Sequence, residues 1–312
     1  MSAHLSVEKM SILRDWDQED LAAFVSLQEI APHRYRNIYG DPNLNGRAYG
    51  GQLIGHAMMA ASLSAPAGRD ATNLNLLFLK GTDPTRPVEF EVSTLQDGGR
   101  FSSRHVRGVQ AGHGLVIDAY ATFSVAMEGP DHSAPAKPMP GAPEDLPDLV
   151  AIPEDLMVRL RALGPYSRHV KPCLDFRVPD LAHQLAPETS SPFLRFWLRA
   201  RRPLPKCNRT HAAAFAFMSD WWLNFSSMAA HVREMGDDEQ LYISSLNHCI
   251  WLHRRVLADD WMLFESESPC AAGGRGLSIA RVRDRNGKIL ASLTQESLMT
   301  PAKTLTSETV DR

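Results

Sequence analysis

Three polar side chains stand in settings that could carry chemistry. Asp220 lies in the run Phe215-Ala-Phe-Met-Ser-Asp-Trp-Trp-Leu-Asn-Phe225. At helical spacing its neighbours are Ala216, Phe217, Leu223 and Asn224. A carboxylate on so apolar a face is costly unless it is satisfied. Two uses fit: a carboxylate bonded to nearby backbone or facing a crevice, or a general base whose pKa burial has raised. Gln295, in Ala291-Ser-Leu-Thr-Gln-Glu-Ser-Leu-Met299, shares a strand face with Leu293 and Ser297. A strand glutamine commonly serves as an exposed or cross-strand polar group. Its chemical use would be to orient a water or a carbonyl with its amide. Ser245, in Ile243-Ser-Ser-Leu-Asn247, is equally compatible with a structural role. The chain contains no G-x-S-x-G nucleophile elbow.

Other chemistries find less support. His248 and His253 are five apart in an extended stretch, so they fall on opposite strand faces and cannot share a metal without a bulge. Cys173, Cys207, Cys249 and Cys270 show no paired short spacing, which argues against structural zinc and for reduced thiols. No P-loop occurs, and Gly274-Arg-Gly276 has Ile279 where a dinucleotide fingerprint needs its last glycine. Gly50-Gly51-Gln52 precedes an apolar helical run. Glycines there serve a tight turn, or let a ligand oxygen approach unpaired backbone N–H groups. Gly50, Gly51 and Gln52 are therefore candidate substrate-binding residues. No metal site and no cofactor are expected.

These residues need a scaffold. Residues 12–30 read as helical. Leu53, Ile54, Ala57, Met58 and Ala61 recur at helical spacing after the glycines. Asn73–Lys80 and Val88–Val92 then read as strands, the latter alternating with Glu89 and Glu91. Asp97-Gly-Gly is a turn, Phe101–Gln110 a strand, Gly112–Gly114 a turn and Ile117–Val125 a strand. The order returns downstream. Ala212–His231 is apolar at helical spacing and places Asp220 within a helix. Ile243–His253 and Trp261–Glu267 are β-compatible. Leu277–Arg285 and Lys288–Met299 flank Asn286-Gly287, a strong hairpin signal. A shift of 175 residues superposes Arg100 on Arg275, Ser103 on Ser278 and Gly112 on Gly287, a faint internal repeat. It also sets Tyr120 opposite Gln295.

Length and composition are consistent with two copies of one unit. The 312 residues carry 44% hydrophobic and 22% charged residues, an ordinary globular balance. A formal charge of −3 gives no reason to expect nucleic acid as a partner. No apolar run is long enough to span a membrane, the N-terminus lacks an apolar signal core, and the C-terminus is no peroxisomal address. A soluble, cytoplasmic protein without a membrane partner is expected. Seven prolines fall between Gly129 and Pro153. They exclude a long helix or a central strand, apart from a short helical turn near Glu154–Leu163. The expected division is an N-terminal domain over 1–128, a proline-rich linker over 129–165 and a C-terminal domain over 166–312.

Four segments together resemble the acyl-CoA thioesterase II family. Tyr49-Gly-Gly-Gln-Leu-Ile-Gly-His-Ala57 resembles its Phe-Gly-Gly-Gln helix start. Thr94-Leu-Gln-Asp-Gly-Gly-Arg-Phe-Ser-Ser-Arg-His-Val106 resembles its Leu-Arg-Asp-Gly hairpin. Asn247-His-Cys-Ile-Trp-Leu-His-Arg254 is similar to its Asp-His-x-Met-Trp-Phe-His-Arg. Residues 291–299 are similar to its Ala-Ser-x-x-Gln-Glu-Gly-x-Met. The resemblance spans residues 20–125 and 210–300 and implies an α+β double hotdog. In this fold two tandem repeats each wrap an antiparallel sheet around one helix.

The resemblance further implies hydrolysis of acyl-CoA thioesters in fatty acid metabolism. In that family an Asp, a Thr or Ser, and a Gln hold the attacking water. Carried over, these are Asp220, Ser245 and Gln295, all in the second repeat. A homodimer or larger assembly is implied too, since hotdog sheets have edges that can pair. Arg100, Arg104, Arg107, Arg275 and Arg281 are candidates for the CoA phosphates. The chain departs from the family pattern at Asn247, where Asp is usual, and at Ser245, where Thr is commoner. Leu76–Asp83 also lacks the usual His and Pro-Gly. Two alternatives remain: a non-catalytic acyl-CoA or acyl-group binding protein on the same fold, and a hotdog hydratase. The latter is ranked low, because Asp41-Pro-Asn-Leu-Asn45 offers no histidine.

Overall fold

A computed structural model describes residues 13–43, 45–148, 171–184, 191–231 and 241–301. The expected helical turn near Glu154–Leu163 lies outside the described residues. Among the described residues, twelve strands form one antiparallel sheet. They are β1 (Leu27–Ala31), β2 (Arg34–Asn37), β3 (Asp70–Phe78), β4 (Val88–Asp97), β5 (Phe101–Gln110), β6 (Gly114–Ser124), β7 (Leu174–Arg177), β8 (Phe193–Ala200), β9 (Leu241–Leu252), β10 (Met262–Ala272), β11 (Arg275–Arg283) and β12 (Ile289–Pro301). The helices are α1 (Leu21–Val25), α2 (Gly50–Ser64), α3 (Leu181–Gln184), α4 (Asn208–Met218) and α5 (Phe225–Ala229). The strand order β1-β2-β4-β5-β6-β3-β9-β12-β11-β10-β8-β7 is a palindrome of two six-stranded halves meeting at β3 and β9. It is the expected double hotdog.

The sheet holds α2 and α4 against its inner face. Residues 51–61 of α2 are buried in succession, as are residues 211–218 of α4. A helix apolar on every side belongs at the centre of a fold. The two pack antiparallel at close range, because Gly51 lies beside Phe217 and Gly55 beside Ala213. A Cβ on Gly51 would fall 2.3 Å from the Phe217 carbonyl oxygen. Strand side chains pointing inward, such as Phe90, Val106, Ala119 and Ala121, close the core around them.

The sheet register refines the internal repeat. Phe90 pairs with Gly108 and Leu76 with Ala119. Phe264 with Val282 and Ile250 with Leu293 are the same pairs 174 positions on. Even the bulge recurs, skipping Thr72 in β3 and Leu246 in β9. The shift of 175 read from three identities is therefore one residue out. A one-residue slip exchanges the faces of a strand. It would superpose inward, buried Ser278 on outward Ser103, and inward Gln295 on exposed Tyr120. The true counterpart of Gln295 is Ala121, and that of Ser245 is Ala71.

Several element expectations are corrected. Helix over 12–30 shrinks to α1, and Leu27–Ala31 instead starts the β1–β2 hairpin at the sheet edge. Ser26, at β/extended angles, ends that helix. The helix expected over Ala212–His231 stops at Met218 and resumes as the short α5. Trp222 sits between them at φ 60°, a conformation bulky residues rarely adopt. Strands β2, β7 and β8 carried no recognised signal. The described part of the proline-rich stretch contains one 3-10 turn, Pro143–Asp145, and lies along the second repeat. There Arg283 donates to the carbonyls of Ala134 and Pro135 at 3.1 and 3.2 Å.

Candidate active site

Asp220 follows α4 by two residues, in the turn between α4 and α5, rather than lying within a helix. That turn delivers the carboxylate to the N-terminus of α2, contributed by the other repeat. A Cβ on Gly50 would fall 2.7 Å from Asp220 Oδ2, so only glycine lets the carboxylate come this close. The Gly51 backbone N–H donates to it. The first N–H groups of a helix lack intrahelical partners and carry partial positive charge, which suits an anion there.

Strands β9 and β12 bring the other two residues. Ser245 pairs with Ser297 across the bulge, and Gln295 pairs with His248. Gln295 Nε2 donates to Asp220 Oδ1 at 2.6 Å and to Ser245 Oγ at 2.6 Å. The structure thus joins all three sequence-predicted residues through one amide. Gln295 is completely buried and lies behind the other two, whereas Asp220 and Ser245 border an open cleft of about 840 Å³. Gly50, Phe78, Trp222 and Met228 also border it.

Burial dominates the electrostatics of Asp220. It pushes the carboxyl pKa up to about 7, against the opposing pull of the Gln295 amide, the Gly51 N–H and the more distant Lys171 ammonium. A carboxyl poised there is ionised and still basic near neutral pH, the condition a general base requires.

Sequence reasoning missed the groups that support this carboxylate. Lys171 is buried, 2.6 Å from Asp41 Oδ2, with Nζ 4.1 Å from the centre of the Tyr49 ring. Gln52 accepts the Asp41 backbone N–H at 2.7 Å through its buried side chain. Gln52 therefore anchors the loop before α2 and does not border the cleft, unlike Gly50. Tyr49 Oη reaches the Phe217 carbonyl at 3.3 Å, which ties the start of α2 to the end of α4. His248 lies beside Gln295, with Nε2 2.8 Å from Ser219 Oγ, and burial drops its pKa to about 3. It is a neutral imidazole at working pH. No short motif flags Lys171 or Asp41, because their meeting depends on the fold. His248 was considered only as a metal ligand. Its burial opposite exposed His253 agrees with the expected split between faces. No group of His, Cys, Asp and Glu among the described residues could hold a metal.

Two family models cover most of the chain: the acyl-CoA thioesterase N-terminal domain over residues 41–124 and the corresponding C-terminal domain over residues 134–299. The chain belongs to the acyl-CoA thioesterase II family. Membership makes it a thioester hydrolase on a double hotdog scaffold. It is 27% identical to mouse acyl-coenzyme A thioesterase 8 over 304 residues, covering 95% of this chain and 94% of that protein. It is likewise 27% identical to acyl-CoA thioesterase 2 of Haemophilus influenzae, covering 81% of this chain and 87% of that protein. The structure of an acyl-CoA thioesterase II from Mycobacterium marinum superposes with a TM-score of 0.72 at 27% identity. That match covers 91% of this chain and all of the other.

The arginine expectation for this thioesterase is revised. Arg104 is buried and bonded to Asp97 and Ser64. Arg107, Arg275 and Arg281 face Glu91, Glu296 and Glu267, and none of these four, nor Arg100, borders the cleft. Arg47 and Lys80 border it instead. No helix among the described residues is long and apolar enough to cross a membrane.

Proposed function

We propose that the chain hydrolyses acyl-CoA thioesters to free acid and CoA, using a water activated by Asp220. The observation that carries this reading is the amide of Gln295 bound to both Asp220 and Ser245 beside an open cleft. A thioester carbonyl has weak resonance stabilisation, so a well-placed water needs no metal to attack it. Asp220 accepts the water proton as the carbon–oxygen bond forms, and no covalent enzyme intermediate is involved. Ser245 provides the second contact for the water. Gln295 fixes the carboxylate and the hydroxyl relative to each other and does not itself touch the water.

The oxyanion needs a donor of its own. Both hydrogens of the Gln295 amide are already directed to Asp220 and Ser245. The Gly50 backbone N–H, in the first turn of α2 and on the cleft wall, is the favoured donor. Collapse of the tetrahedral intermediate breaks the carbon–sulfur bond, and CoA leaves as the thiol with the proton held by Asp220. Arg47 and Lys80, on the cleft wall, are the candidates to meet the CoA phosphates. The position of β1 and β7 at the two edges of the sheet formed by the described residues supports a self-associating chain, testable by light scattering on the purified protein.

The deciding experiment measures thiol release from acyl-CoAs of graded chain length by the wild type and by Asp220→Asn. Turnover by the wild type on part of the series and a loss of at least about a hundredfold in the variant are expected. Tight acyl-CoA binding with no thiol release would leave a binding protein instead.

A further inference from the structure

The palindromic sheet has a consequence at its other end. The strand segments bordering the catalytic cleft, residues 78–82 and 241–246, have counterparts 174 positions away at residues 252–256 and 67–72. Those counterparts border a second cleft, of about 450 Å³. Helix roles exchange there. The N-terminus of α4, Asn208 and Arg209, enters the second cleft as Gly50 of α2 enters the first. The two clefts lie at opposite ends of α2, roughly 20 Å apart at 1.5 Å of rise per residue over its 15 residues.

The second cleft has lost the hydrolytic groups. Ala71 replaces Ser245, Ala121 replaces Gln295, and the residues following α2 into the cleft are Ala65, Pro66 and Ala67. Its charge has changed as well. The catalytic cleft sets Arg47 and Lys80 against Asp83 and Asp220. The second sets Arg69, Lys206, Arg209, Arg254 and Arg255 against Asp70 alone. Asp70 is held by Asn208 at 2.7 Å and by Arg255 at 3.4 Å, and Arg254 pairs with Asp131. Arg69 donates to Ser102 and to the Gly98 carbonyl. Among the described residues, Lys206 and Arg209 have no carboxylate within 4.0 Å, and both are exposed beside the first turn of α4.

We propose that this second cleft is a non-catalytic binding site for a phosphate monoester, either free phosphate or the phosphorylated end of a nucleotide. Guanidinium and ammonium groups supply the charge, and the positive end of the α4 dipole adds to it, although the Arg209 and Thr210 N–H groups already donate to the Cys207 sulfur on the cleft wall. Alanines at the two catalytic positions leave the bound ligand unhydrolysed. The site goes beyond thioester hydrolysis and stands whether or not Asp220 is the base.

The test is equilibrium binding by calorimetry on the full chain, with inorganic phosphate and adenosine 3′,5′-bisphosphate as separate probes at low salt. The Lys206→Ala/Arg209→Ala double variant is expected to lose about tenfold or more in affinity for at least one probe, while thioester turnover stays within about twofold. Binding of the nucleotide alone assigns the site to nucleotides; binding of both shows that phosphate suffices. Arg47→Ala/Lys80→Ala, which alters only the catalytic cleft, should leave this binding in place. The proposal is overturned if neither probe binds at about 10 mM, or if the double variant binds both as the wild type does.

Discussion

The pH dependence of turnover tests the site most directly, because it reads the one group whose environment the fold has changed most. Burial places the Asp220 pKa near 7, from an ordinary value of 3.8. With that midpoint the carboxylate is about 9% ionised at pH 6 and about 91% at pH 8, so the rate should rise about tenfold between them. An aspartate left at its ordinary value would change by less than about 1% over the same range. Stability should move the other way. The folded pKa lies above the unfolded one, so the proton is bound more tightly in the folded state. The stabilisation this gives is fully present below pH 4 and is lost as pH rises through 7. At alkaline pH the charged Asp220 therefore costs at most about 4 kcal/mol relative to a neutral isostere. Asp220→Asn recovers part of this, but its single carbonyl cannot satisfy both Gln295 and Gly51, a loss of about 1 kcal/mol. The variant should thus be nearly inactive yet more thermostable than wild type, by a margin that grows from pH 5 to pH 8. The assay is initial thiol release from pH 5.5 to 8.5, corrected for spontaneous hydrolysis, alongside thermal melts at both extremes. A flat profile with the chemical step rate-limiting, or a variant whose melting difference ignores pH, would refute the reasoning.

Gly50→Ala would set a Cβ 2.7 Å from Asp220 Oδ2. It should cut kcat by at least about tenfold while circular dichroism stays native. Lys171→Met combined with Asp41→Asn removes the buried pair without stranding either charge. It should move the pH midpoint to the alkaline side, since Lys171 holds the Asp220 pKa down; an acid shift would contradict the assigned geometry. Ser245→Ala should lower turnover, and Ser245→Thr should retain it, because threonine keeps the hydroxyl and restricts its rotamer. Equal losses in both would remove the hydroxyl from the proposed contact with water.

The proposed catalytic set was legible through the family resemblance of the segments that carry it, since each residue by itself also fits a structural role, and the hairpins were legible because Asp97-Gly-Gly and Asn286-Gly287 mark their turns. The break after Met218 was not legible. Residues 211–218 are buried on all sides, so apolar side chains continue past the helix end and hide it. Strand β8 was hidden for a related reason. Its inward residues Leu194, Phe196, Leu198 and Ala200 alternate with outward Trp197, which is also buried. Trp197 packs with Trp261 and Leu263 under Leu146 of the proline-rich segment. A strand covered on both faces loses its period of two. The coverage comes from a stretch about 50 residues away in sequence, so no local window contains it. The pairing of Lys171 with Asp41 escaped notice likewise, since it joins residues 130 apart.

The register explains why the duplicated fold offers one candidate hydrolytic centre among the described residues. Each half, taken alone, supplies an incomplete set: the second repeat brings Asp220, Ser245 and Gln295, and the first brings Gly50 and Gly51 at the start of α2. Under the proposed mechanism activity depends on the contact between α2 and the end of α4, where Gly51 meets Phe217 and Tyr49 Oη reaches the same carbonyl. At the opposite end the start of α4 and the end of α2 border one cleft together, but Ala71 and Ala121 stand where the polar groups would be. Restoring them tests how far the symmetry extends. Ala71→Ser with Ala121→Gln rebuilds two of the three side chains, yet Ala65, Pro66 and Ala67 provide no carboxylate to accept a proton. The double variant should gain no turnover in an Asp220→Asn background. Measurable thiol release from that protein would show that water activation does not need a carboxylate beside the helix N-terminus, and would undo the role assigned to Asp220.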